Sequence, residues 1–156
     1  MQSGSFQDIT IKAKATYRFS DKVGLEANVN QIAAGRDFGD LLYEAKAVVS
    51  GGKKAGKIII GGYVQSSTPA MIYTNWVSNH YIFHNSFKNQ KTTSLSFNYI
   101  NDALQLDLKA EYFLMADYLY FASPTGGIDA SPQQSASNIN LLKFDIGLLR
   151  KCGGLV

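Results

Sequence analysis

The sequence predicts an all-β fold, an antiparallel up-and-down meander that forms part of a transmembrane β-barrel. Three observations predict it. Apolar and polar residues alternate with period two along most of the chain, the signature of strands with one dry and one wet face. Several alternating stretches reach about 10 residues, longer than the usual globular strand of about 5–6 and close to the ~9–11 of a tilted membrane-crossing strand. The connections alternate short and long, as in barrels with tight turns on one side of a membrane and long loops on the other.

The clearest stretch is 93–114, TSLSFNYINDALQLDLKAEYFL. In its first arm Leu95, Phe97 and Tyr99 share one face, opposite Ser94, Ser96 and Asn98. In its second arm Leu104, Leu106, Leu108, Ala110, Tyr112 and Leu114 oppose Gln105, Asp107, Lys109 and Glu111. Asn101-Asp102 sits where the pattern breaks, and both residue types tolerate the positive φ of a tight hairpin turn.

In chain order, the first strand runs from Asp8 to Phe19, with Ile9, Ile11, Ala13, Ala15, Tyr17 and Phe19 opposite Thr10, Lys12, Lys14, Thr16 and Arg18. Ser20-Asp21-Lys22 is a short turn. The second strand sets Val23, Leu25, Ala27 and Val29 against Glu26, Asn28 and Asn30, and a longer connection follows from Ala34 to Asp40. The third spans Leu41 to Val49, with Glu44 and Lys46 on its polar side. Ser50 to Gly56 is a glycine- and lysine-rich turn, and the fourth strand is Lys57 to Gln65. Gly61-Gly62 inside it suggests a bend or bulge. Ser66 to Lys91 is long and irregular, and Met71 to Phe83 within it is assigned to a strand. After the hairpin, Met115 to Ser137 forms a second long connection. A last strand, Asn138 to Leu149, sets Leu142, Phe144, Ile146 and Leu148 against Lys143 and Asp145.

Composition narrows the class. The 156 residues suffice for one domain, read here as a single β-barrel segment over residues 1–156. Charged residues are 17% of the chain, against about 25% in an average soluble domain. The net charge of +3 is too small and dispersed for a nucleic-acid partner. One cysteine, Cys152, excludes an internal disulfide and any multi-cysteine metal site. No stretch is apolar for long enough to be a membrane-crossing helix. Met1 to Phe6 lacks the basic start and apolar core of a signal peptide, so for a protein outside the cytoplasm a mature form or an excised piece is expected.

Two features decide between a barrel wall and a soluble sheet. Aromatics gather near strand ends (Tyr17, Phe19, Tyr43, Tyr99, Tyr112, Phe113 and Tyr118 to Phe121), where rings with polar tips suit the headgroup level. Lys12, Lys14, Arg18, Glu44, Lys46, Asp107, Lys109, Glu111, Lys143 and Asp145 all project to the polar side. Unpaired ions in a dry core cost several kcal/mol each, so these ten residues are expected to line a water-filled pore. The bases slightly outnumber the acids, which predicts a mild anion preference.

Catalytic and metal motifs fail on context. Gly51 to Lys57 (GGKKAGK) begins like a phosphate-binding loop, but Ile58-Ile59-Ile60 follows in place of a hydroxyl and a helix; a hairpin turn fits better. His80 and His84 share a face if extended, yet no carboxylate lies near to complete a metal site. Trp76, Asn79, His80 and His84 are read as loop or pore residues. No Gly-x-Ser-x-Gly elbow occurs, and no enzyme is expected.

Residue patches carry a resemblance. Pro69, Trp76, Ser78-Asn79-His80-Tyr81, Asn85 and Phe87-Lys88, then Glu111-Tyr112 with Tyr118-Leu119-Tyr120-Phe121, resemble the "putative porin" family of Bacteroidetes outer-membrane β-barrels. Phe144-Asp145-Ile146-Gly147 and Gly153-Gly154-Leu155-Val156 are similar to it as well. The resemblance covers Gly61 to the C-terminus. It implies an internal fragment of a longer barrel, a bacterial outer-membrane location, passage of solutes, and no catalytic residues. The expected partners are membrane lipid and lipopolysaccharide, small hydrophilic solutes, and the rest of the barrel or other copies of the chain. No cofactor, metal or nucleic acid is expected. The alternatives are a soluble β-sandwich or jelly roll binding a glycan through Trp76 and Tyr73, and a structural subunit of an envelope complex.

Overall fold

The computed structural model describes residues 7–77, 82–123, 126 and 130–148. It is all-β, with one seven-stranded antiparallel sheet and two short ribbons. The strands of the large sheet are β1 (Ile9–Ser20), β2 (Val23–Ala34), β3 (Leu41–Ser50), β4 (Lys57–Ser67), β7 (Gln90–Asn101), β8 (Leu106–Ala116) and β11 (Ile139–Leu148). They lie in the order β1-β2-β3-β4-β7-β8-β11, a meander in which each long strand pairs with the next. The ribbons are β5 (Asn75–Val77) with β6 (Ile82–His84), and β9 (Leu119–Ala122) with β10 (Ser131–Gln134). Two single helical turns, α1 (Gly52–Ala55) and α2 (Met71–Thr74), complete the elements.

Connection lengths differ between the two ends of the sheet. Residues 21–22, 51–56 and 102–105 link strands at one end, whereas 35–40, 68–89 and 117–138 link them at the other. Both ribbons belong to the long-loop end. The Met71–Phe83 segment, expected to be a strand, is instead α2 followed by the β5–β6 hairpin.

Two local expectations change. Gly61-Gly62 makes no bulge, because β4 keeps continuous register with β3 and β7 through both residues. The reason for glycine is close approach: a Cβ at Gly62 would stand 2.9 Å from the Ser94 carbonyl oxygen. The β7–β8 turn falls at 102–105 rather than at Asn101-Asp102, so Leu104 and Gln105 are turn residues, and Gln105 carries the positive φ of 52°. Asn101 stays in the strand and becomes a buried polar anchor. With β8 running on to Ala116, Tyr112 and Phe113 lie near its middle rather than at its end.

The sheet has almost no interior. Among the described residues Leu119, 5% exposed, is the one buried large apolar side chain, beside the two buried prolines Pro69 and Pro132. Large apolar side chains such as Ile11, Tyr17, Ile60, Leu95, Phe144 and Ile146 stand exposed. The register places all of them on one face: Ile60 pairs with Phe97, Phe97 with Ala110, and Ala110 with Phe144. No second layer covers this face among the described residues. The arrangement is therefore not that of a sandwich, in which two inner faces seal one another.

Candidate functional site

The face opposite the apolar one collects the charges. Strand alternation fixes each residue's side, and the pairing brings the sides into rows across the sheet. One row runs Thr16, Glu26, Lys46, Gly61, Ser96, Glu111, Lys143. The adjoining row toward the long loops runs Lys14, Asn28, Glu44, Tyr63, Ser94, Phe113, Leu141. On the other side Asn98 pairs with Lys109, and Lys109 with Asp145. Lys12 pairs with Asn30, Arg18 with Gly24, and Asp107 with Gly147. All ten charged residues predicted from the sequence, Lys12, Lys14, Arg18, Glu44, Lys46, Asp107, Lys109, Glu111, Lys143 and Asp145, thus share one surface. Glu26 and Asn28 belong to it too, and the same alternation marks them.

The charges are not equivalent. On β8 and β11 they form a ladder: Lys109 Nζ lies 3.0 Å from Glu111 Oε1, Lys143 Nζ 3.8 Å from Glu111 Oε2 and 3.0 Å from Asp145 Oδ2. Glu111 links the two strands: Lys109 stands two residues before it on β8, and Lys143 faces it from β11 as opposite-charge pairs do. On β2 and β3, Asn28 donates through Nδ2 to Glu44 Oε2 at 3.2 Å. Asn30 and Asn98, also on this face, leave Oδ1 shielded and without a hydrogen-bond partner.

The long loops clasp one another at one end of the sheet. Gln134 is the clasp. Its Oε1 accepts from the Lys88 amide at 3.1 Å, and its Nε2 donates to the carbonyls of Lys88 and Asp117 at 2.8 and 3.0 Å. Tyr73 and Phe121 stack across the two loops with centroids 5.0 Å apart. Asp40 Oδ1 accepts from both the amide and the hydroxyl of Thr68, at 2.6 and 2.7 Å, tying the 35–40 loop to the start of the next.

Of the loop residues singled out from sequence, Trp76 pairs with Phe83 within the β5–β6 hairpin and remains partly exposed. His84 Nδ1 lies 2.6 Å from Asn75 Oδ1. Asn79 and His80 lie outside the described residues. Two residues escaped the sequence reading. Gln134 sits in a polar run with no periodicity to mark it, and Asn101 reads as a turn former although its side chain is the most buried in the sheet, 1% exposed.

At the opposite end the short turns are knitted together. Asn101 Nδ2 donates to the Lys54 carbonyl at 3.2 Å and to Tyr99 Oη at 2.7 Å, while its Oδ1 accepts from the Leu104 amide at 3.0 Å. Tyr99 Oη in turn donates to the Ala55 carbonyl at 3.1 Å. The GGKKAGK segment is this connection: one helical turn leading directly into β4, a hairpin turn with no longer helix behind it.

Comparison with known proteins agrees with this architecture. No curated protein and no solved structure matches the chain. A family model described as "putative porin" matches residues 2–155. The match includes the first three strands, for which the sequence offered only alternation. The chain belongs to the putative porin family.

Proposed function

We propose that the chain is a length of barrel wall in a bacterial outer membrane, and that small hydrophilic solutes pass along its charged face. Family membership supports a porin-like, transport-type role. One observation carries the finer reading: a single sheet of long strands with an uncovered apolar face on one side and, on the other, a face that gathers the charges of its outer strands. In water such a face is costly, since each large apolar side chain left wet forgoes about 1.5–3 kcal/mol. Against acyl chains the cost vanishes, and the opposite face then lines a wet passage. The two unequal ends fit the same picture, with tight turns on one side of the membrane and long loops outside.

The sheet edges favour one kind of neighbour over another. Six successive antiparallel pairings leave β1 and β11 running in the same direction. Their outer backbone groups would be unpaired in hydrocarbon at several kcal/mol each. An antiparallel closure therefore takes an odd number of further strands. A second copy in the same membrane orientation would meet β11 with a parallel β1. The remainder of a barrel suits the edges better than a ring of identical copies.

Fractionation with reconstitution tests the reading. The full-length native protein is expected in the membrane fraction, released by detergent, and to give discrete conductance steps in planar bilayers. A monomer soluble in buffer without detergent would refute it.

A further inference from the structure

We infer that the permeating solutes are anions and that the cations of β1, Lys12, Lys14 and Arg18, select them. This rests on the barrel-wall reading and assigns it a substrate class and a place on the wall.

The observation is how unevenly the charges are compensated. The lysines of β8 and β11 are each within 4 Å of a carboxylate, and with Asp107 the acids of that wall outnumber its bases. A solute there meets an internally neutralised ladder. The three cations of β1 have neither an ion pair nor a side-chain hydrogen bond among the described residues. Their partners across the pair with β2 are Asn30, Asn28 and Gly24, none of which can neutralise them. Glu26 and Glu44 are the acids nearest in the sheet. Glu26 pairs with Thr16, between Lys14 and Arg18, and with Lys46 on its other side, yet forms an ion pair with none of these cations among the described residues. Glu44 accepts from Asn28.

Distance along the wall keeps the two zones apart. No charged residue occurs between Ile59 and Gln65 on β4 or between Thr92 and Asn98 on β7. From β1 to β8 there are five strand spacings, about 24 Å at ~4.8 Å each, well beyond a Debye length of about 8 Å at physiological salt. The carboxylates of β8 and β11 therefore do not cancel the field at β1 along the wall. Within β1, Lys12 and Lys14 are about 7 Å apart and Arg18 lies about 13 Å further on, at ~3.3 Å per residue. An anion moving along the strand passes from one uncompensated cation to the next. Three cations on one line suit a carboxylate, sulfate or phosphate better than a neutral sugar.

Reversal potentials of the full-length protein in planar bilayers under a potassium chloride gradient test this. The wild type is expected to favour chloride over potassium. In the K12Q/K14Q/R18Q variant the permeability ratio falls by about threefold or more, since one unit charge some 7 Å away in water shifts an ion's energy by about RT. K12E/K14E reverses the preference. K109Q/E111Q/K143Q/D145N, which removes two bases and two acids of the ladder together, leaves the chloride preference unchanged. An unchanged ratio in the K12Q/K14Q/R18Q variant, or an equal fall in the ladder variant, overturns the assignment while leaving a conducting barrel intact. A wild type that conducts no ions overturns the barrel-wall reading along with it.

Discussion

Asn101 donates through Nδ2 to the carbonyl of Lys54, 3.2 Å away, so that one turn of the sheet is fastened to its neighbour by a buried side chain. The same amide reaches Tyr99, and its oxygen holds the Leu104 amide. Replacing it with alanine strands several of these groups out of water. Asn101→Ala is expected to destabilise the fold by about 2–3 kcal/mol, read from urea unfolding of the reconstituted protein by circular dichroism. A loss below about 0.5 kcal/mol, typical of a plain surface change, would show that the network does not hold the turns.

Gly56 tests the backbone of the same turns. Its φ is +78°, and a Cβ there would lie 2.5 Å from the Ile100 carbonyl oxygen. Gly39 has a φ of +93° with nothing within 4 Å. Both alanine variants incur the left-handed penalty of about 1–2 kcal/mol, and only Gly56→Ala adds a steric clash. Unfolding measurements should therefore rank Gly56→Ala as clearly the worse of the two.

Leu95 and Ser96 stand side by side near the middle of β7 but face opposite ways. Leu95 is 61% exposed. On a water-facing surface Leu95→Lys would change stability by no more than about 0.5 kcal/mol. Near the middle of a bilayer it should cost about 2–4 kcal/mol, whereas Ser96→Lys, on the charged face opposite Glu111, should cost little. Equal small effects in lipid vesicles would argue that the apolar face does not meet acyl chains.

Glu111 joins Lys109 to Lys143. Glu111→Gln leaves both lysines with less compensation, at a stability cost of about 1 kcal/mol or less for so exposed a ladder. The informative readout is ion selectivity, which should move further toward anions. A shift toward cations in reversal potential would contradict the charge arrangement of this wall.

Gln134 fastens the two long loops through three hydrogen bonds. With each worth about 0.5–1.5 kcal/mol, Gln134→Ala should raise protease cleavage in 68–89 and 117–138 about fivefold or more while the strands stay protected. Unchanged cleavage would mean that other contacts carry the clasp.

Much of this was legible in the residues. Alternation is a property of the extended backbone itself, so the side on which Lys14 or Phe144 falls follows from its position in a run. That is why the charged face could be read residue by residue before any pairing was known. Met71 to Phe83 was misread because a short apolar stretch gives the same signal for a strand, a helical turn or half a hairpin. Gly61-Gly62 was misread because glycine marks both bulges and close approaches, and only the neighbouring strand shows which.

The sequence by itself determined the strand phases, the turn-rich and loop-rich ends, and which residue types share a surface, because period-two geometry is local. Only the tertiary structure decided which charges cancel. Register across β8 and β11 sets lysines against carboxylates, whereas β2 sets neutral residues directly opposite the three cations of β1. Compensation is a matter of distance between strands, and those distances are fixed by pairing rather than by the order of residues along the chain.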